Sequence, residues 1–335
     1  MADLETTHPG SRGQGGRHRR RRGAPGAPAE PGAASIDSAT IPVELPGVVG
    51  PASVNGATTP GGAAPAGKAG RNLPVAVGVG VGLALLVLVP LSVYRPAFVL
   101  VIAAAVVVGV WEMVRAISAA EARPPLVPLL VGGGGTMFLA WFSGAEALTV
   151  GLVLTVIAVL LWRLADGPVG FQRDVTAAAL VAAYVPFLAG FAVLLLLPAD
   201  GSMRVAAFIA TVVCSDVGGF AFGVLFGRHP MAPTVSPKKS WEGMAGSLIV
   251  CAIGGVCFLM FAFDGSWWQG VVFGLSIAVA ATLGDLAESM IKRDLGIKDM
   301  GSLLPGHGGL MDRLDSLLTA APVAYLLLQL FAPPG

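Results

Sequence analysis

Pairs of acidic residues lie at the ends of two apolar stretches in the C-terminal part of this chain. "MDRLD" places Asp312 and Asp315 three residues apart, and "LGDLAES" places Asp285 and Glu288 at the same spacing. Residues three apart share one face of a helix, so each pair presents two carboxylates together. Asp216 lies in a third apolar stretch. Carboxylates on neighbouring helices repel one another, and a hard cation such as Mg²⁺, bound by oxygen ligands and shared with phosphate groups, removes that repulsion.

Basic residues fill the segments next to these stretches. "VSPKKSWEG" contains Lys238 and Lys239 between Ser236 and Ser240. Lysine binds phosphate as a compact charge, and serine can donate hydrogen bonds to it. A later segment, "IKRDLGIKDMGSLLPGHGG", combines basic residues with glycines that let backbone N–H groups approach an anion. Its candidates for phosphate binding or loop shaping are Lys292, Arg293, Lys298, His307, Gly308 and Gly309, and Arg313 follows them.

Structural interpretations of the same residues stay open. The carboxylates could pair with Arg293, Arg313 and the lysines as structural salt bridges, and those basic residues could still bind phosphate. Glu112, a lone acid after Trp111 in an apolar stretch, fits a structural hydrogen bond as well as a role in the site. The three cysteines all lie in apolar stretches without metal-ligand spacing, which is typical of small buried side chains.

The elements that must position these residues are membrane helices. Of 335 residues, 55% are hydrophobic and 12% are charged, whereas a soluble domain has about 25% charged residues. From Asn72 onward, apolar runs of about 18 to 25 residues recur, the length with which a helix crosses a bilayer core. The candidate spans are 73–94, 97–117, 125–142, 145–164, 173–198, 203–227, 244–263, 267–288 and 312–333. The predicted fold class is all-α, a polytopic integral membrane bundle of about nine transmembrane helices.

Composition and charge divide the chain into three parts. Residues 1–71, rich in Gly, Ala and Pro and containing the run Arg19–Arg22, predict a disordered basic cytoplasmic tail. Residues 72–200 contain the first five spans, and residues 201–335 contain spans six to nine with the basic loops. With the tail in the cytoplasm and nine alternating spans, 19 of the 21 lysines and arginines lie on the cytoplasmic side. We therefore expect a multi-pass plasma membrane protein with a cytoplasmic site and its C-terminus outside.

These features predict metal-dependent phosphoryl or nucleotidyl transfer to a lipid, since the polar groups lie at the membrane boundary and suit a polyphosphate. The stretch "SMIKRDLGIKDMGSLLPGHGGLMDRLD", residues 289–315, resembles the signature of the phosphatidate cytidylyltransferases. That signature reads S-x-x-K-R-x4-K-D, then P-x-H-G-G-x-x-D-R-x-D. Asp216, "FGVLFGR" and "SPKKSWEG" resemble a second block of the family pattern. The resemblance extends from about residue 74 to the C-terminus and leaves out the tail.

The resemblance implies that CTP and phosphatidic acid give CDP-diacylglycerol and pyrophosphate, for phospholipid biosynthesis. It implies Mg²⁺ as cofactor, with a second cation as an open option, and a homodimer among membrane lipids; nucleic acid is not an expected partner. The residues with implied catalytic roles are Asp285, Lys292, Arg293, Asp312 and Asp315. The implied metal ligands are Asp285 and Asp312, supported by Asp216 and Asp315. The implied substrate-binding residues are Ser236, Lys238, Lys239, Lys298, His307, Gly308, Gly309 and Arg313.

Two other functions remain as alternatives. A CTP-dependent polyprenol or dolichol kinase would transfer the γ-phosphate of CTP instead of the cytidylyl group. An ion-coupled transporter would use intramembrane carboxylates to bind its coupling ion, but such transporters often contain internal repeats. Here the charged motifs are concentrated in residues 216–335, without an evident counterpart in the first half of the chain. A CDP-alcohol phosphotransferase is excluded because its "DG-x2-AR" motif is missing.

Overall fold

Helices account for most of the described chain, as predicted. The structure, a computed structural model, describes residues 73–120, 122–303 and 308–334, so the predicted tail and His307 lie outside the described residues. The helices are α1 (Leu73–Val93), α2 (Arg95–Ser118), α3 (Leu126–Ala165), α4 (Phe171–Ala182), α5 (Leu188–Leu196), α6 (Gly201–Phe226), α7 (Trp241–Ala262), α8 (Trp267–Asp294) and α9 (Met311–Phe331). A π-helical turn, Ala183–Phe187, joins α4 to α5, and strands β1 (Pro230–Ala232) and β2 (Ser236–Ser240) form an antiparallel hairpin between α6 and α7. The hairpin is the one β-sheet among the described residues, and the sequence had predicted only a loop there.

The longest helix, α3, is a hairpin of two helical arms. Its 40 residues are interrupted at Gly144, whose φ of 73° and ψ of −153° are not helical and suit a residue without a side chain. A Cβ added to Gly132 would collide with Thr155, and one added to Gly151 would collide with Thr136. The arms therefore run antiparallel and in close contact, so one long helix contributes the two predicted spans 125–142 and 145–164.

The number of helical segments agrees with the predicted membrane bundle. Seven segments of the described chain are long and apolar enough to cross a membrane, with α4 and α5 counted as one segment and α3 as another. When α1 is added and the two arms of α3 are counted separately, the described residues contain nine helical segments. The predicted polytopic helical fold is confirmed.

Helices α6 to α9 pack through small residues, each antiparallel to the one before it. Backbone atoms of Gly246 lie where a Cβ on Gly218 would be, and those of Cys251 lie where a Cβ on Gly274 would be. Between α8 and α9, a Cβ on Gly284 would overlap Thr319. Such close approach is typical of helix packing within membranes. Because the helices alternate, the end of α6, the start of α7, the end of α8 and the start of α9 lie together, and we call this end of the bundle the site end.

The opposite end of α9 is held by a buried arginine. Arg204 of α6 is 2% exposed, and its guanidinium donates to the carbonyl oxygens of Leu328 (3.2 Å) and Ala332 (2.5 Å). Its Nε also pairs with Asp200 at 2.7 Å. A cation next to the last carbonyl groups of a helix is favourable because those groups lack helical donors. This anchor fixes the axis of the helix whose other end carries Asp312 and Asp315.

Candidate active site

A cavity of about 310 Å³ lies at the site end, between α6, α7, α8, α9 and the β hairpin. Its size falls in the range of small-molecule sites, about 300 to 1,000 Å³. The predicted site residues that line it are Asp216, Ser236, Lys238, Lys239 and Asp285. Residues from three separate sequence motifs therefore face one space. Ser240, Ser247, Thr282 and Ser316 add hydroxyl groups to its wall.

The β hairpin carries the two lysines, and a glutamate on α7 holds its base. Ser240 begins α7 as its N-cap and accepts a hydrogen bond from the Gly243 N–H at 3.1 Å. Glu242 accepts the backbone N–H groups of Arg228 (3.1 Å) and His229 (3.2 Å), and its other oxygen lies 2.5 Å from His229 Nδ1. The sequence prediction did not include Glu242. The sequence contained one indication of this role: Glu242 lies in the first turn of a helix that begins at a serine N-cap, where acidic residues often accept backbone N–H groups.

Two contacts connect the hairpin to α8. Lys239 Nζ lies 2.6 Å from the Asp285 carboxylate, with both side chains partly exposed. Arg293, near the end of α8, donates from Nε to the carbonyl oxygen of Val235 at 3.2 Å. The structure thus brings Lys239 to Asp285, although 46 positions separate them in the sequence, and it places Arg293 against the turn of the hairpin.

Deeper in the bundle, acidic and basic side chains of α8 and α9 form a second group. We call Asp285, Glu288, Lys292, Asp312 and Asp315 the α8–α9 cluster. Lys292 Nζ lies 2.8 Å from Asp312 and 3.2 Å from Glu288. The Lys292 and Asp312 side chains are only 13% and 6% exposed, so this pair lies largely out of water.

Backbone amides complete the binding of Asp312. Its Oδ2 accepts the N–H groups of Gly309 at 2.8 Å and Met300 at 3.1 Å. Gly308 has a φ of 82°, and a Cβ on it would lie 3.0 Å from Asp312 Oδ2. A side chain at this position would therefore be strained and would press on the carboxylate. Both glycines thus contact Asp312, and their predicted role in substrate binding stays a prediction.

Glu288 is the most deeply buried member of the cluster. Its side chain is fully buried, and its Oε1 has no hydrogen-bond partner in the described part of the chain. Its carboxyl group is within hydrogen-bonding contact of that of Asp315. Two adjacent carboxylates repel each other unless a proton or a cation lies between them. The sequence pairs Glu288 with Asp285 but does not place it in the predicted site, because spacing alone does not show burial.

The other predicted residues lie around these two groups. Asp216 is exposed on the cavity wall, close enough to Arg313 and Lys239 for electrostatic interaction. Arg313 is itself exposed near the start of α9, and Lys298 is exposed in the segment after α8, outside the cavity lining. Among the residues that the structure describes, no contact of Lys298 reaches the cavity, and its predicted part in substrate binding stays a prediction.

The acidic side chains at the site end are the predicted ligands of a magnesium ion. Within residues 73–120, 122–303 and 308–334, no three Asp, Glu, His or Cys side chains are arranged as a metal site. Lysines and amides bind the carboxylates instead. The donors are nevertheless all hard oxygens, as Mg²⁺ prefers, and the Glu288 oxygen lacks a donor. The residue types therefore fit the ion, and the identity of the ligands stays a prediction.

A cavity lined by both lysines and aspartates, at one end of a membrane helical bundle, fits an enzyme that acts on phosphate groups at a membrane. Residues 75–331 match the model of the cytidylyltransferase family. The chain therefore belongs to the cytidylyltransferase family, which are nucleotidyltransferases, and the predicted family is confirmed.

Curated relatives agree with this assignment. The phosphatidate cytidylyltransferase of Mycobacterium leprae is 42% identical over 279 residues, which cover 78% of this chain and 89% of that protein. The protein of the same name from Mycobacterium bovis is 41% identical over 276 residues, with 78% and 90% covered. One from Haemophilus influenzae is 33% identical over 256 residues, with 67% and 87% covered.

Proposed function

We propose that this chain is a phosphatidate cytidylyltransferase, which transfers CMP from CTP to phosphatidic acid and releases pyrophosphate. The names of its relatives support the substrates. The observation that carries the proposal is the cavity itself, in which Lys238 and Lys239 face Asp216 and Asp285. Nucleotide and lipid phosphates are both anionic, so a site that joins them must supply positive charge at the reacting groups.

The depth of the site supports a lipid substrate. Trp267 and Trp268, 65% and 48% exposed, begin α8 at the end remote from the cavity, and exposed tryptophans favour the membrane interface. Asp285 follows Trp267 by 18 residues, which corresponds to about 27 Å of helix. A hydrocarbon core is about 30 Å thick. Asp285 would then lie near the opposite interface, where the phosphate of a lipid resides.

The reaction needs little proton transfer. A phosphate monoester is mostly ionised near pH 7, so an oxygen of phosphatidic acid can attack the α-phosphorus of CTP directly. The new P–O bond forms as the bond between the α-phosphorus and the bridging oxygen breaks, and pyrophosphate leaves with the bonding electrons. Catalysis then consists mainly of positioning and charge neutralisation.

Named residues would share this task. Lys238 and Lys239 on the cavity wall, together with Arg293, are placed to neutralise phosphate oxygens. Ser236 can donate a hydrogen bond at the same wall. Mg²⁺ bound by Asp285 and Asp312, with support from Asp216 and Asp315, would act as a Lewis acid on phosphate oxygens. Lys292, Arg313, Lys298 and His307 complete the proposed set.

The orientation and assembly are also proposed. The excess of lysine and arginine in the segments at the site end supports a cytoplasmic site. The plasma membrane is the membrane we propose. A homodimer, bound membrane lipids and the division at residues 72–200 and 201–335 stay predictions from the sequence.

Labelled CTP tests the proposed reaction in purified protein with phosphatidic acid and Mg²⁺. We expect label from the α-phosphate to enter the lipid and unlabelled pyrophosphate to form in equal amount. Entry of γ-label into the lipid would instead identify a kinase, and polyprenol in place of phosphatidic acid provides the matched substrate control.

The transporter alternative requires a different measurement. Protein in sealed vesicles with an ion gradient should dissipate that gradient if the carboxylates bind a coupling ion. We expect no flux above that of empty vesicles. Flux without CTP, combined with no cytidylyl lipid, would contradict the proposed function.

A further inference from the structure

Glu112 of α2 is a buried carboxylate at the site end that the proposed chemistry does not use. Its side chain lies in an apolar helix, and the residue is 1% exposed. Its Oε2 accepts the backbone N–H of Met311, the first residue of α9, at 2.8 Å. Its Oε1 has no hydrogen-bond partner among the described residues. The hydrogen bond joins residues 199 positions apart, so α2 reaches directly into the signature segment.

Two glycines of that segment pack on the carboxyl group. A Cβ added to Gly309 would lie 2.7 Å from Oε2 and 2.8 Å from Oε1 of Glu112. A Cβ added to Gly301 would overlap the same carboxyl group. Real Cβ atoms do not approach oxygen so closely, so Glu112 occupies space that only glycine at both positions leaves free.

The same segment binds Asp312 from the other side. Gly309 donates its N–H to Asp312 at 2.8 Å, and Met300, next to Gly301, donates at 3.1 Å. Glu112 therefore contacts the two glycines, and through them the amides that orient Asp312. A shift of these amides would move the carboxylate, and displacements near 1 Å at a reacting group can lower rates by about 100-fold.

An apolar side chain would be easier to bury at this position. A carboxylate within a membrane helix is unfavourable, and one backbone donor compensates only part of such a penalty. Ionisable residues at such positions are functional by default. The favourable interaction of a carboxylate with the N-terminus of α9 is the structural part of its role.

We propose that Glu112 is a positioning residue: it fixes Gly301, Gly309 and Met311 against α2 and thereby holds Asp312 in its reactive orientation. This inference rests on the proposed function for the identity of the reaction. It assigns Glu112 no contact with substrate.

Steady-state kinetics of E112A and E112Q test the proposal in the full-length protein. Alanine removes the acceptor for Met311 N–H, so we expect kcat to fall at least 10-fold while KM for CTP changes less than 3-fold. Glutamine retains an acceptor oxygen of the same shape, so kcat should stay within about 3-fold of the parent. E146Q, an exposed acid in α3, is the matched control and should be unaffected.

Hydrogen exchange of the substrate-free protein separates this proposal from the proposed function. The amides of Met300, Gly309 and Met311 should exchange faster in E112A and at the parental rate in E112Q. This readout needs no turnover, so it stands even if the parent protein has no cytidylyltransferase activity. Unchanged exchange of these three amides in E112A would overturn the proposed positioning role of Glu112.

Substitution of Gly309 tests the same contact from the opposite side and covers the case in which E112A does not fold. G309A should displace the Glu112 carboxyl group and lower kcat at least 10-fold, whereas G134A, at a helical position with open space, should not. Where E112A folds, a double-mutant cycle is possible: E112A/G309A should be no slower than the slower of its two single variants, because both changes remove one contact. Independent, additive losses in the cycle, a parental kcat in E112A or G309A, or equal losses in E112A and E112Q would each overturn the proposal.

Discussion

Two ionic groups at helix ends of this protein differ in how their charges are matched. The first, which we call the α3–α4 cluster, consists of Arg163, Asp166 and Asp174. Asp174 accepts from Arg163 at 2.9 Å and from the Arg123 N–H at 2.7 Å, and Arg163 also pairs with Asp166 at 2.7 Å. Each carboxylate there has a cationic partner. The group left without a partner is a donor, Arg163 Nε.

The α8–α9 cluster has the opposite imbalance. Within the described residues, Lys239 pairs with Asp285, and Lys292 pairs with both Glu288 and Asp312. The atoms left without a partner at this end are acceptors, the Oε1 atoms of Glu288 and Glu112. A buried network in which each carboxylate has a cationic partner is satisfied without any bound ligand. Buried carboxylates in excess of their cationic partners need an additional cation or a proton. The comparison thus separates a structural cluster from a candidate site without reference to sequence motifs.

Removal of an acid from the α8–α9 cluster should affect chemistry more than folding. D312N keeps the shape of the side chain but removes the charge that Lys292 and the two amides bind. We expect CTP-dependent product formation to fall at least 100-fold, a typical loss when a key electrostatic group is removed. Insertion should be normal. Some loss of Tm is also expected, because Lys292 loses a largely buried partner, so turnover is compared per folded molecule. Near-parental turnover would remove Asp312 from the site.

The matching change in the α3–α4 cluster should have the reverse effect. D174N leaves Arg163 with one carboxylate fewer, and breaking a buried ion pair destabilises by about 3 kcal/mol or more. A thermal melt in detergent should show a clearly lower Tm. Turnover per folded molecule should stay within 2-fold of the parent. A loss of turnover like that of D312N would contradict the distinction between the two clusters.

The smallest expected effect is a gain in stability. E288Q replaces a fully buried carboxylate whose Oε1 lacks a donor, and the new amide can donate to Asp315. Lys292 keeps Asp312 as its closer partner when the contact with residue 288 weakens. Relief of repulsion with Asp315 should therefore outweigh that loss and stabilise the folded state by about 1 kcal/mol, which raises Tm by roughly 2 to 4 °C in a chain of this size. The same melting assay measures it. If E288Q lowered Tm as D174N is expected to, the surplus of negative charge at α8–α9 would not be destabilising.

Much of the fold follows from local properties of the chain. The nine predicted spans correspond to helices of the structure because length and hydropathy alone decide whether a segment can cross a bilayer. The predicted boundary between the spans 125–142 and 145–164 also agrees with the structure, because the two arms of α3 meet at the non-helical residue Gly144. The β hairpin was not predicted, because its few residues lack the alternating pattern of a strand.

The site was predictable in its residue types but not in its pairings. The motifs contain Asp285, Asp312 and Lys239, and the structure brings all three to the site end. Nothing in the spacing indicates that Lys239 pairs with Asp285 or that Lys292 pairs with Asp312 across two helices. Glu242 and Glu112 were outside the predicted site because most of their partners are backbone N–H groups. Every residue except proline carries such a group, so the sequence does not show which one a carboxylate will meet.

The sequence by itself determined that this protein is a helical membrane bundle with acidic and basic motifs at one end, because hydropathy, helical spacing and charge are properties of neighbouring residues. Only the tertiary structure decided which charges meet and which remain unmatched. Helix packing brings together residues as distant as Glu112 and Met311, and burial then makes an unpartnered oxygen unfavourable. The imbalance at α8 and α9 is therefore a property of the packed molecule.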